Sequence, residues 1–172
     1  MIFYPDLYIN NIKEITIEML KEHNIKGLML DVDNTLIDFD RNMLEGTPLW
    51  CKQLKDDNIK MCILSNSNKI DKVKAVAYQL DIPYINFAKK PLKSGFRKAQ
   101  KILELDESKI AVVGDQIMTD VLGGNLCKMF TILTKPLHEK DIFITKIKRP
   151  LERCIVKGYL KKIEKGDDRN VF

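Results

Sequence analysis

A chain of 172 residues, 45% hydrophobic and 31% charged, can build one domain with a real core and is too short for two ordinary ones. It has no apolar run near the roughly 18–20 residues that span a bilayer, and its start, Met1-Ile-Phe-Tyr-Pro-Asp6, lacks the basic residues and apolar stretch of a signal peptide. The net charge of +5 is uneven: residues 135–165 hold ten Lys or Arg against four Asp or Glu, while residues 1–134 hold eighteen of each sign.

Residues 12–23 carry apolar side chains at mixed spacing and predict a short helix. Gly27 to Val32 predicts the first central strand. Thr47-Pro-Leu-Trp50 predicts a helix start, with Thr47 as N-cap and Pro48 at the first position, running to about Asn58. Lys60-Met-Cys-Ile-Leu64 predicts a second buried strand that ends at Ser65-Asn-Ser-Asn68. Lys69 to Leu80 predicts a helix with Ile70, Val73, Val76, Ala77 and Leu80 on one face. Tyr84-Ile85 can form a short strand, and Ser94 to Leu105 another helix. Ile110-Ala-Val-Val113 predicts a strand that ends in Gly114-Asp115. Thr119 to Leu126 predicts a helix, with Gly123 and Gly124 allowing close packing, and Phe130 to Leu133 a last strand. Trp50 is expected in the core, and His23 and His138 on the surface.

Strands alternating with helices imply parallel βαβ units with right-handed crossovers. All strand ends then share one edge of the sheet, the edge where open α/β folds bind ligands. Asp31, Ser65 and Asp115 each follow a different strand, so the topology should bring them together. Asp33 lies two residues beyond Asp31, and Asn66, Lys90, Lys93 and Asp120 fall in the same edge loops. Carboxylates gathered at one point repel unless they share a cation, and hard oxygen donors suit Mg²⁺. A carboxylate can also attack phosphorus to form an aspartyl-phosphate. A hydroxyl and an ammonium would then hold the phosphoryl oxygens. Each residue also has a plainer role: Ser65 could cap the next helix, Lys90 could belong to a solvated basic loop with Lys89 and Lys93, and Asp120 could be a first-turn acid complementing a helix dipole.

Asp31-Val-Asp-Asn-Thr35 resembles the first motif of the haloacid dehalogenase (HAD) superfamily of phosphohydrolases. Leu64-Ser65-Asn66 is similar to the second, Lys90-Pro91 to the third, and Gly114-Asp-Gln-Ile-Met-Thr-Asp120 to the fourth, all in the right order. The chain more closely resembles the YqeG family of subfamily IIIA, which also includes phosphatidylglycerophosphatase-like enzymes. That likeness runs from Tyr4-Pro-Asp-Leu-Tyr8 to about Arg153. The resemblance implies a Rossmann-like α/β fold and Mg²⁺-dependent hydrolysis of a phosphomonoester. In it Asp31 is the nucleophile and a metal ligand. Asp33 is the general acid/base, and its backbone carbonyl also binds the metal. Ser65, Asn66 and Lys90 bind phosphate, and Asp115 is a metal ligand. Asp120 supports the metal through water or orients Lys90.

Only 31 residues separate Asp33 from Ser65, and 24 separate Ser65 from Lys90, so neither gap holds a cap domain. An open site suits a large or surface-held substrate, and a phospholipid head group, phosphatidylglycerophosphate first, is the expected class. A soluble sugar phosphate or nucleotide is the rival substrate, and a non-catalytic module that binds a phosphorylated ligand is the rival function. Residues 1–134 are expected to form the capless core and 135–172 a basic helical segment completing the same domain. In that segment Ile144, Ile147, Leu151, Ile155 and Tyr159 recur at helical spacing, with Lys157 and Lys161 off the stripe. It reads as a helix packed on the sheet with a solvated basic face, or as an element drawn to anionic lipid. No nucleic-acid recognition module is visible. Cys51, Cys62, Cys127 and Cys154 are too widely spaced for a zinc site or a disulfide framework. The expectation is reduced thiols in a cytoplasmic protein, with peripheral contact at the inner face of the membrane.

Overall fold

Gly27–Leu30 is buried at every position, as a central strand covered on both faces requires. It pairs in parallel with Lys60–Leu64 on one side and Ile110–Gly114 on the other. The computed structural model describes residues 2–138 and 154–163. In chain order the strands are β1 (Leu7–Ile9), β2 (Gly27–Leu30), β3 (Lys60–Leu64), β4 (Tyr84–Ile85), β5 (Ile110–Gly114) and β6 (Phe130–Thr134). They form one parallel sheet in the order β1-β6-β5-β2-β3-β4. The helices are α1 (Ile17–Glu22), α2 (Thr47–Asp56), α3 (Ile70–Leu80), α4 (Lys93–Leu103), α5 (Leu122–Leu126) and a last one, α6, at 154–163.

The sheet separates two main apolar clusters. One joins Leu28, Leu30, Ile63 and Val113 to α2 and α3 through Trp50, Leu54, Val73 and Leu80. The other joins Met29, Cys62 and Val112 to α4 through Phe96, Ala99 and Leu103. Trp50 also donates from Nε1 to the Ile15 carbonyl at 3.0 Å, which satisfies a buried indole. Gly123 lets α5 press on α4: a Cβ there would lie 2.3 Å from the Phe96 ring. Among the described residues no helix is long and apolar enough to cross a membrane.

Several local expectations are corrected. The helix expected over 12–23 is a 3₁₀ turn, Ile12–Glu14, followed by α1, because Thr16 accepts a hydrogen bond from the Met19 N–H and restarts the chain as an N-cap. The N-cap of α2 is Gly46, at φ 81°, and Thr47 is already helical and buried. The Thr47 N–H donates back to the Leu44 carbonyl, a turn that needs the left-handed residue just before the helix. Ile70 is 48% exposed, since the packed face of α3 starts at Val73. His23 is half-buried against the Phe130 ring, with centroids 4.6 Å apart, not on the open surface. The helix expected from Thr119 begins earlier as a π turn, Ile117–Val121, before α5. Strand β1 had no counterpart among the expected elements.

The basic segment is described only in part: Ile144, Ile147 and Leu151 lie outside the described residues. In α6, Tyr159 is buried, meets the Tyr4 ring edge-on at 5.6 Å and donates to the Asp6 carbonyl at 3.4 Å. Ile155 and Val156 pack with Phe3, Tyr8, Ile117 and Leu133. Lys157 and Lys161 are exposed. All four cysteines are free thiols, three of them buried.

Candidate active site

Register carries the key side chains to one edge. Leu30 is level with Ile63 of β3 and with Val113 of β5. Asp31, Ser65 and Asp115 therefore emerge from three adjacent parallel strands within two residues of that level. Asp31 stays tied to the sheet, donating its N–H to the Val113 carbonyl at 2.9 Å. Asp120 reaches the same point from the π turn. It can do so because residue 114 is glycine: a Cβ there would lie 2.3 Å from the Asp120 carboxyl carbon.

Asp31, Asp115 and Asp120 are all buried, and each offers an oxygen within 4.8 Å of the others. Lys90 is buried among them, donating at 2.6 Å to Asp31 and at 2.6 Å to Asp120. Burial, with Asp120 and Asp33 adding to it, pushes the Asp31 carboxyl up to about 7 although Lys90 pulls it down. Burial also opposes the charge on Lys90, but Asp120 and Asp31 outweigh it and hold the ammonium above the ordinary lysine range. Among the described residues, three buried carboxylates and the Lys90 ammonium thus gather in a place shielded from water. Hard oxygen donors within 4.8 Å of one another suit a divalent cation, so the group could hold a metal ion.

The remaining predicted residues take distinct places. Ser65 is buried, and its Oγ accepts from the Ser67 N–H at 3.1 Å. It does not cap the following helix, whose N-cap is Lys69. Asn66 was expected to bind phosphate. Both ends of its amide bond the Lys90 backbone: Oδ1 accepts the Lys90 N–H at 2.6 Å, and Nδ2 donates to the Lys90 carbonyl at 3.0 Å. Asn66 thus clamps the residue that enters the site. Lys89 and Lys93 are exposed, Lys89 standing over the Phe87 ring, so Lys90 is the buried lysine of that loop. Asp120 Oδ2 accepts from the Gln116 N–H at 3.2 Å and the Thr119 hydroxyl at 3.4 Å, which fixes the carboxylate that holds Lys90.

Asp33 stands outside the three-carboxylate group. It is half-buried and forms an ion pair with Lys72 of α3. Nothing in the sequence marks Lys72: a lysine in an amphipathic helix reads as a solvated surface group. A faint signal is its place in the first turn of α3, where the helix dipole disfavours a cation.

The family model for haloacid dehalogenase-like hydrolases matches residues 41–127, a span that holds Ser65, Lys90, Asp115 and Asp120 but not Asp31 or Asp33. A Bacillus subtilis (strain 168) protein described as "Probable phosphatase YqeG" is 42% identical over 161 residues, covering 93% of each chain. The chloroplastic/mitochondrial phosphatidylglycerophosphate phosphatase 1 of Arabidopsis thaliana is 27% identical over 97% of this chain, which spans about half (51%) of that protein. An uncharacterized protein of Listeria monocytogenes serotype 4b has the same fold in its crystal structure. The TM-score is 0.55 at 17% identity, over 69% of this chain and 85% of that one. With a matching family model across half its length and 42% identity along nearly all of it, the chain belongs to the haloacid dehalogenase-like hydrolases, and within them to the YqeG family of phosphatases.

Proposed function

We propose that this protein hydrolyses a phosphomonoester through an aspartyl-phosphate on Asp31. The observation that carries the proposal is the seat of Lys90, 2.6 Å from both Asp31 and Asp120, two of three buried carboxylates gathered at the carboxyl ends of β2 and β5. An Asp31 oxygen attacks phosphorus. The P–O bond to the leaving group breaks with its electron pair on oxygen, and that oxygen takes a proton from the Asp33 carboxyl and departs as the alcohol. Water then attacks the phosphorus and gives its proton to the Asp33 carboxylate. The bond to Asp31 breaks, which frees phosphate and restores the Asp31 carboxylate. Ser65 and Lys90 hold the phosphoryl oxygens, and Asn66 acts at one remove by clamping Lys90.

Asp31 and Asp115, with the Asp33 backbone carbonyl, would hold Mg²⁺, and Asp120 would support it through water or through Lys90. The ion would neutralise charge on the phosphoryl oxygens. Residues 1–134 form the capless catalytic core in this proposal, and 135–172 completes the same domain.

For the substrate we propose a phosphate on a lipid head group, phosphatidylglycerophosphate first. The likeness to the Arabidopsis enzyme supports it. So does the absence of room for a cap: only a loop, α2 and β3 lie between Asp33 and Ser65. Contact with an anionic membrane face belongs to the same proposal and is supported by the exposed Lys157 and Lys161 on α6. The test is Mg²⁺-dependent hydrolysis of p-nitrophenyl phosphate by the wild type and Asp31→Asn. A loss of several orders of magnitude is expected in the variant; equal rates would reject the mechanism. A panel with phosphatidylglycerophosphate in mixed micelles beside sugar phosphates and nucleotides tests the substrate. Preference for a soluble phosphate would reject the lipid.

A further inference from the structure

Lys72 has no place in the motifs that carry the chemistry, yet its side chain is only 13% exposed and its ammonium is spent on Asp33. The cost of its position is visible. It lies in the first turn of α3, at the positive end of the helix dipole, where an acid is favoured and a cation disfavoured. Long lysine side chains usually keep their charge in water. Here the charge is drawn inward to a residue 39 positions earlier in the chain. Asp33 in turn sits on an irregular loop. It bridges to Ile37, its neighbour Asn34 has φ 63°, and its own carboxylate is 41% exposed. An acid on such a loop has several rotamers open to it. Beside the pair is a cavity of about 180 Å³ lined by Lys72 with Ile37, Arg41, Asp71 and Val76, so α3 and the loop after β2 meet there without filling the space.

We propose that Lys72 is a positioning residue: it holds the Asp33 carboxyl in one orientation, so that its proton meets the leaving oxygen as the P–O bond breaks. Lys72 has this role only if Asp33 is the proton donor proposed above. Positioning of a general acid has its own signature. A poor leaving group, such as an alkoxide, needs the proton in the transition state. A good one, such as p-nitrophenolate, leaves almost without it. A residue that only stabilised the fold would affect both substrates alike.

The experiment compares kcat of the wild type, Lys72→Met and Lys72→Arg on glycerol phosphate and on p-nitrophenyl phosphate, at saturating Mg²⁺. The expected result for Lys72→Met is a fall of about 10-fold or more on glycerol phosphate and less than about 3-fold on p-nitrophenyl phosphate. Lys72→Arg should recover most of the loss. Adding Lys72→Met to Asp33→Asn should change kcat no further, because nothing remains to be positioned. Melting curves identify a variant that fails to fold, and Lys72→Gln then replaces Lys72→Met. Equal losses on both substrates, or none on either, overturn the proposal while leaving the phosphatase mechanism standing. A wild type that hydrolyses neither substrate removes that mechanism, and the role of Lys72 with it.

Discussion

At the scale of single residues, Asp31 is a carboxyl group in a place that disfavours charge. Its folded pKa, raised to about 7 from 3.8, means that the folded protein binds a proton there more tightly than the unfolded chain does. The stability this contributes is therefore complete below about pH 4 and is lost as pH rises through about 7. Without a metal ion, the melting temperature should fall between pH 5 and pH 8. In Asp31→Asn that part of the fall should vanish. Added Mg²⁺ should raise the wild-type melting temperature more at pH 8 than at pH 5, because the ion competes with the proton for the same oxygens. Melts in chelator and in Mg²⁺, for both proteins, test this. Identical profiles for wild type and variant would contradict it. Residues with a motif were legible at this scale: Asp31, Ser65, Lys90 and Asp115 could be singled out because each follows or faces a strand end. Lys72 was not legible, because an ion pair spanning 39 residues leaves no local pattern. The bond of Asn66 to the Lys90 backbone was hidden too, since it joins residues 24 positions apart.

Among the elements, the end of β5 and the π turn after it act as one device. The turn carries Asp120 back over Gly114, and the missing side chain at 114 leaves the space that the carboxylate fills. Gly114→Ala should therefore push Asp120 off Lys90, and overpacking at such a contact costs about 1–3 kcal/mol. The measurement is paired: a lower melting temperature, and a drop in kcat larger than the lost stability explains. Unchanged activity would show that Asp120 is not needed where it sits. The alternation of strands and helices was readable because β2, β3 and β5 are apolar runs bounded by turn residues. Strand β1 was hidden, since three residues after Pro5-Asp6 carry too little periodicity to stand out from a loop. The π turn was hidden for a related reason: Gln116-Ile-Met-Thr119 has no cap or breaker to announce a wider first turn.

For the molecule as a whole, α6 ties the C-terminal segment to the start of the chain through Tyr159, Tyr4 and Asp6. Deleting the segment would unpack that contact, so charge reversal is the better probe of membrane affinity. Lys157→Glu with Lys161→Glu should leave the melting temperature nearly unchanged, because surface substitutions of this kind usually shift stability by less than about 0.5 kcal/mol. The same variant should pellet less with anionic vesicles, while neutral vesicles should show no difference. Equal pelleting of both proteins would remove the basic face of α6 as a lipid contact. The whole-molecule consequence of the strand order is of another kind. The sheet ends on β1, three residues long, at one side and on β4, two residues long, at the other. An incoming foreign strand would find only a short ladder to extend at either rim. Among the described residues, the sheet thus gives other chains little backbone to zip onto, so its candidate site need not bring a tendency to aggregate.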